Sequence, residues 1–263
     1  MHELNSDTLF ISDVHLGGFT HEMNYQIEQN LISLLDYAYE QNLDIIILGD
    51  LLDYYMQYGD FVPECGITVF NWFKEYHQKS GKKSLFITGN HDNWDYGFFN
   101  TIGFDTEHEY RILMLPTGER VLMMHGDGLK ESLFEFPRPW FHRLLRNPYF
   151  VGSFKTITTP AFGNSIMRSF SAWSRNNDSH DVSDKAHLDQ HAIRLLKANM
   201  ADIVICGHHH EIRDQYVNQK RYINTGAFFK NSTVCLYTTG SFNLVTWHGA
   251  QRIFTPINNE SAG

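Results

Sequence analysis

Cysteine is scarce in this chain. Cys65, Cys206 and Cys235 are the only three in 263 residues, odd in number and without metal-type spacing. That excludes a disulfide framework and points to a reducing compartment. Long apolar runs are missing too: nowhere do about eighteen apolar residues follow one another, and Met1 to Asp7 lack the basic-then-apolar pattern of a leader. A cytoplasmic protein is therefore expected, at most peripheral at the cytoplasmic face of the membrane. Positive charge is also short. With 21 Lys and Arg against 30 Asp and Glu, the net charge is -9, which excludes a nucleic-acid polymer as partner, since phosphate polymers need a basic footprint.

What is present is a chain long enough to bury a large α/β core. It reads as a single domain over residues 1–263 carrying an insertion, 129–178, without strand pattern. Thr8 to Ser12 is a strand that ends in Asp13-Val14-His15. Ile27, Leu31, Leu34, Leu35 and Ala38 then recur at helical spacing between Asn24 and Asn42. Ile45 to Leu48 returns as a strand with almost no polar alternation, as in a parallel sheet covered on both faces, and it ends in Gly49-Asp50-Leu51-Leu52-Asp53. A second helix is expected over Ile67 to Lys79, and a third strand, Ser84 to Thr88, opens into Gly89-Asn90-His91-Asp92.

The same design recurs twice more. A hairpin over Tyr110 to Met124 ends in His125-Gly126-Asp127, and the strand Ala201 to Cys206 ends in Gly207-His208-His209-His210. Asp13, His15, Asp50, Asn90, His125, His208 and His210 are thus oxygen and imidazole donors at the carboxyl ends of strands, where an open α/β sheet builds its crevice. His208 and His210 are the expected ligands of the last block, with His209 turned away. Two carboxylates about 4 Å apart repel by roughly 4 kcal/mol at an effective dielectric near 20, so Asp13 and Asp50 call for a cation. Seven ligands suit two ions, with Asp50 as the natural bridge.

Taken together, Asp-x-His, Gly-Asp-x-x-Asp, Gly-Asn-His-Asp, His-Gly and Gly-His-x-His resemble the calcineurin-like metallophosphoesterase superfamily over residues 8 to 210. The resemblance implies a four-layer α/β/β/α sandwich and a phosphoester hydrolase. It puts one ion on Asp13, His15, Asp50 and His210, and the other on Asp50, Asn90, His125 and His208. It also makes His91 the catalytic acid, with Asp92 holding its imidazole, and gives Asn90 and His91 a part in substrate binding. Manganese is the expected metal pair, although such nitrogen and oxygen donors also accept iron or zinc. The fold also serves as a non-catalytic scaffold, a role that has no use for an acid such as His91 beside a full ligand set.

The insertion narrows the resemblance. It holds seven basic against three acidic residues in an otherwise acidic chain, with ten aromatics, including Tyr149, Phe150, Phe154 and Phe162. A helical lid over an anionic, partly apolar substrate is expected, in contact with a membrane surface. This lid, together with Ile11 to Gly17 and His125-Gly126-Asp127-Gly128, is similar to the UDP-2,3-diacylglucosamine hydrolases of lipid A synthesis. Better-known members carry Arg where this chain has His91. The resemblance implies a nucleotide-lipid or other phosphorylated small-molecule substrate, with Arg146, Ser174 and Arg175 as lid residues that touch it. Elsewhere, His187 and His191 are expected as a surface pair on a helix over Asp184 to Asn199. The strands at Arg221 to Ile223, Thr233 to Leu236 and Phe242 to Trp247 are expected to complete a second sheet, with Asn224-Thr225-Gly226 bordering the site.

Overall fold

A computed structural model describes residues 3–58, 63–127, 147–159 and 182–257, together with Phe162, Gly163, Ser165 and Ser169. Strands and helices alternate at first: β1 (Thr8–Ile11), α1 (His21–Glu40), β2 (Asp44–Ile47), α2 (Ile67–Ser80), β3 (Leu85–Ile87), α3 (Phe98–Thr101) and β4 (Asp105–Glu107). Then come β5 (Tyr110–Met114), β6 (Arg120–Met124), α4 (Pro148–Ile157), α5 (Val182–Lys197), β7 (Ile203–Cys206), β8 (Ile212–Val217) and β9 (Lys220–Thr225). The chain closes with α6 (Phe228–Asn231), β10 (Thr233–Thr238), β11 (Ser241–His248) and β12 (Ile253–Pro256). Local chemistry sets the main boundaries. The Thr20 hydroxyl accepts the Met23 N–H at the start of α1, and Gly81, at φ 69°, supplies the left-handed turn that stops α2.

The strands form two sheets, ordered β12-β11-β10-β1-β2-β3-β4 and β5-β6-β7-β9-β8. Alternation along each central strand sorts its side chains into layers. Leu9 and Ile11 of β1, with Ile45 and Ile47 of β2, pack against Leu31, Leu34 and Leu35 of α1 and Phe73 of α2. Phe10 and Ile46 point the other way, into a core shared with Val121, Met123, Ile205 and Ile223 of the second sheet. On the far face of that sheet, Leu122, Val204 and Tyr222 bury Leu188, Ala192 and Leu195 of α5. The result is the four-layer α/β/β/α sandwich.

Two expectations about the carboxyl-terminal part change. β10 and β11 belong to the first sheet, because β10 pairs antiparallel with β1 (Leu9 opposite Leu236) and carries β11 with it. Only β9 joins the second sheet, parallel to β7 and flanked by the edge strand β8. His191 is also not at the surface: it is 4 % exposed on the inward face of α5, while His187 on the same helix is exposed.

The described part of the insertion is helical. Asn147 accepts the N–H groups of Tyr149 and Phe150, Pro148 fills the first turn, and α4 follows. Val151 and Phe154 pack on Tyr54, Met56, Tyr58 and Trp94, all from loops at the carboxyl ends of β2 and β3. The Tyr58 hydroxyl meets Thr158 Oγ1 at 2.8 Å, and Lys155 Nζ lies 4.7 Å from the centre of the Tyr96 ring. Arg146, Ser174 and Arg175 lie outside the described residues.

Candidate metal centre

Beyond the sheet, the chain ends of β1 and β2 stay joined by backbone hydrogen bonds. Asp13 N–H donates to Gly49 O, Val14 and His15 N–H to Asp50 O, and Leu16 N–H to Leu51 O. This pairing fixes Asp13, His15 and Asp50 against one another. Small residues let the turns close: a Cβ on Gly89 would strike the Asp50 carboxylate, and one on Gly207 would strike the Asp13 carboxylate and Ser12 Oγ. Five of the seven expected ligands adopt left-handed backbone, Asp13 (φ 51°), His15 (51°), Asp50 (54°), His208 (73°) and His210 (57°). Each such residue costs on the order of 1–3 kcal/mol, and surrounding structure has to hold it there.

The donor atoms converge in two groups, Asp13 with His15 and His210, and Asp50 with His125 and His208, the atoms of each group lying within 4.8 Å of one another. In the first, His15 Nε2 and His210 Nε2 are 3.2 Å apart, and His210 Nε2 is 3.3 Å from Asp13 Oδ1. Asp13 Oδ2 accepts the His208 N–H, whereas the buried Oδ1, facing the nitrogens of His15 and His210, makes no aligned hydrogen bond and could accept a cation. In the second, His125 Nε2 lies 3.1 Å from Asn90 Oδ1 and 3.2 Å from Asp50 Oδ2. Asp50 Oδ2 is also 3.6 Å from His15 Nε2 and therefore faces both groups.

Hydrogen bonds on the far side of the rings aim these nitrogens. A carbonyl has no proton to give, so His125 Nδ1–H donates to Leu48 O at 2.8 Å and leaves Nε2 as the ligand atom. His15 Nδ1 meets Asp53 Oδ1 at 3.2 Å with the same effect. The third cluster of donors, His15, Asp53 and His91, shares this contact, so Asp53 orients a ligand. Burial raises the pKa of the Asp13 and Asp50 carboxyls, but the surrounding imidazoles outweigh it and hold both below the ordinary range. Burial lowers the His125 imidazole, yet the Asp50 carboxylate beside it pushes it up to about 10. A proton held on His125 between these carboxylates occupies the place a divalent cation would take, and its release on binding would leave carboxylate oxygens and imidazole nitrogens as donors, so the donor set suits the expected ion pair.

His91 is buried beside this centre. Its N–H donates to Asp50 Oδ1 at 3.0 Å, and its ring stands edge-on to His15 at 4.8 Å. Burial depresses the imidazole to about 4, while Asp50 pulls the other way. The expected role of Asp92 is corrected here. His91 Nδ1–H donates to Asp53 O at 2.5 Å, while the Asp92 carboxylate accepts the N–H groups of Gly89 at 2.7 Å and Leu51 at 2.8 Å. Asp92 thus braces the turn and leaves the aim of the ring to Asp53.

Three further residues were not singled out by the sequence. Asp53, within the Gly-Asp-x-x-Asp block, steers His15 and His91. Phe229 places its ring edge-to-face on His15 at 5.5 Å and on His210 at 5.1 Å, while its N–H donates to Asp13 O. Ser12 Oγ meets Thr225 Oγ1 at 2.6 Å. Asn224 Nδ2 donates to Gly207 O at 2.7 Å, so the segment from Asn224 to Gly226 does border the ligand loops.

Residues 7–212 match the family model described as Calcineurin-like phosphoesterase. Over 255 residues the chain is 25% identical to a UDP-2,3-diacylglucosamine hydrolase of Porphyromonas gingivalis, covering 89% of this chain and 95% of that protein. A second protein of that name, from Aliivibrio fischeri, is 30% identical over 152 residues, 54% of this chain and 60% of its own length. Among solved structures, a novel archaeal phosphodiesterase superposes with a TM-score of 0.47 at 14% identity, over 91% of this chain and 99% of that one. Zinc-bound Vps29 of Entamoeba histolytica gives a TM-score of 0.45 at 11% identity, over 91% and 92%.

Proposed function

The chain belongs to the calcineurin-like phosphoesterase family and is a metal-dependent phosphoesterase, and we propose that it cleaves the pyrophosphate of UDP-2,3-diacylglucosamine, releasing UMP and a lipid sugar 1-phosphate. The reading rests first on Asp50 Oδ2, which faces His15 of one donor group and His125 of the other and would bridge two ions, most simply manganese. When bound, two divalent ions hold a phosphoryl group by charge and acidify water from about 15.7 toward roughly 7.

The chain's own residues do the rest. Asp13, His15, Asp50 and His210 would hold one ion, and Asp50, Asn90, His125 and His208 the other. His91 Nδ1–H is committed to Asp53 O, so Nε2, 4.0 Å from Asp50 Oδ2, is the atom that delivers a proton to the leaving oxygen. A phosphoryl group beside the ring favours the protonated form that burial disfavours. Asp92 and Asp53 keep the turn and the ring in place.

The lipid part of the proposal is supported by α4 and by the names of the two relatives. Val151 anchors this helix on the loops beside the site, while Tyr149 and Ile157 are each 84% exposed and Phe162 is 59% exposed. Apolar side chains offered to solvent next to a cationic centre suit acyl chains that accompany a phosphate, at about 0.8 kcal/mol per buried CH₂. Arg146, Ser174 and Arg175 are proposed to hold the second phosphate and the sugar. Contact with the inner membrane surface through the lid follows from the same face, and no helix of the described residues is long and apolar enough to cross a membrane.

The test is direct: incubation of the manganese-loaded protein with UDP-2,3-diacylglucosamine, with UMP measured. Release of UMP that stops on chelation supports the proposal. Hydrolysis of small phosphodiesters or phosphomonoesters with no release of UMP would replace it by a general phosphoesterase.

A further inference from the structure

A cavity of about 440 Å³ opens beside the metal centre, between the β1–α1 connection, the first turns of α1 and the start of α2. It lies close to the reacting position by three routes. Leu16 and Gly17 in its wall directly follow His15, and two residues of chain reach at most about 7 Å. Tyr54 directly follows Asp53. Phe19 packs at 4.9 Å on Phe229, the ring that covers His15 and His210. The wall is held in shape, since the Asn24 side chain accepts the Gly17 N–H and donates to Phe19 O.

The lining chemistry selects the occupant. Phe19, Tyr25 and Tyr54 offer aromatic surface, and Glu28 and Glu64 offer carboxylate acceptors. Among the described residues no Lys or Arg lines the cavity, and the one imidazole, His21, shares its wall with the carboxylates of Glu28 and Glu64, so the lining favours donors over a phosphate. Acyl chains are equally unsuited, because they would strip water from two carboxylates without returning a hydrogen bond. A planar ring with N–H and hydroxyl donors meets both demands, through stacking and donation to the carboxylates. The volume lies within the range of small-ligand pockets, roughly 300–1,000 Å³.

We propose that this cavity binds the nucleoside end of the substrate, with the phosphates at the metal centre and the lipid on the side of α4. This rests on the nucleotide-lipid reading above. Tyr54 separates the two ends, because it lines the cavity and packs in the same cluster as Val151 of α4.

Cys65 makes the proposal measurable. It lines the cavity as a half-buried thiol, whereas Cys206 and Cys235 are both 0% exposed, so a maleimide reports on Cys65 alone. The manganese-loaded protein is labelled with or without UMP, AMP or inorganic phosphate and followed by intact mass, and each compound is also assayed as an inhibitor of bis(p-nitrophenyl) phosphate hydrolysis. The expected result is that a nucleoside monophosphate slows labelling several-fold at its inhibitory concentration, while inorganic phosphate inhibits without protecting. Tyr25→Ala, a change at a position 58% exposed on α1, should raise the nucleotide concentration needed for both effects several-fold while its melting temperature stays that of the parent.

Nucleotide inhibition with unchanged labelling overturns the proposal and leaves the nucleotide-lipid reading standing. Inhibition by phosphate with neither inhibition nor protection by nucleotides overturns both. Protection by nucleotides in a protein that releases no UMP from UDP-2,3-diacylglucosamine removes the lipid reading and keeps the cavity.

Discussion

The Asp53 carboxylate lies 3.2 Å from His15 Nδ1, on the side of the ring opposite the metal-facing Nε2. The carbonyl of the same residue accepts from His91 Nδ1. One residue thus aims a ligand with its side chain and the proposed acid with its backbone. Asp53→Ala should weaken ion binding at the His15 position by about 10- to 100-fold, the usual cost of removing a group that orients a metal-binding histidine. Turnover at saturating manganese should fall far less, since the backbone contact to His91 survives. Calorimetric titration with manganese checks this, and affinity equal to wild type would show that His15 needs no such partner.

His91→Ala separates chemistry from metal binding. The ring is not among the seven expected ligands, so the variant should keep its manganese while turnover of the natural substrate drops by roughly 100- to 10,000-fold. A substrate with a good leaving group, such as a nitrophenyl ester, should lose less. Wild-type rates on both substrates would remove His91 from the mechanism.

The exposed face of α4 predicts a split between substrates. Tyr149→Ser combined with Ile157→Ser removes two largely solvated apolar side chains without touching the Val151 anchor. Each apolar side chain buried against lipid contributes about 1.5–3 kcal/mol, so KM for the diacyl substrate should rise about tenfold or more. Hydrolysis of a small aryl phosphodiester should stay within about twofold, a margin within a few tenths of a kcal/mol. Equal losses on the two substrates would contradict a lipid-binding role for this face.

Stability should also depend on pH through His77, far from the metal centre. His77 Nδ1–H donates to Ile102 O at 2.7 Å, and Nε2 accepts the Ser84 N–H at 3.2 Å. Burial lowers the imidazole below its ordinary range. An unfolded chain therefore binds the proton more readily than the folded one. The contribution of His77 is fully present above the unfolded value, near about 6.5, and is lost as pH falls through the lower folded value. His77→Gln should flatten the decline of melting temperature across that acidic range. An unchanged slope would show that protonation of His77 is not coupled to unfolding.

Much of this was legible because the ligands end strands. Asp13, Asp50, Asn90, His125 and His208 each follow a short apolar run, and such runs predict both the sheet and the crevice at its edge. The regular spacing of Ile27, Leu31, Leu34 and Ala38 likewise locates α1. Sheet membership was not legible for β10: Val234 and Leu236 face one layer and Cys235 and Tyr237 the other, an alternation that suits either sheet. The edge strand β8 reads Ile-Arg-Asp-Gln-Tyr-Val and is nowhere fully buried, so it carries no apolar run to find. Asp92 adjoins His91 in sequence, yet the tight turn spends its carboxylate on Gly89 and Leu51, and Asp53 reaches the ring only through the fold. His191 looked like half of a surface pair because periodicity gives the faces of a helix without saying how far the buried face extends.

The central claim is that Asp50 joins two ions into one centre, and the metal content of a single substitution tests it most directly. Wild-type protein loaded with manganese and freed of excess by gel filtration should retain about two ions per chain by mass spectrometry of the metal, with spin coupling between them in the electron paramagnetic resonance spectrum. Asp50→Asn, which keeps the shape but removes the shared charge, should retain about one or none and lose the coupling, with activity falling alongside. A wild-type content of about one ion, or an Asp50→Asn protein with about two coupled ions, would contradict the account.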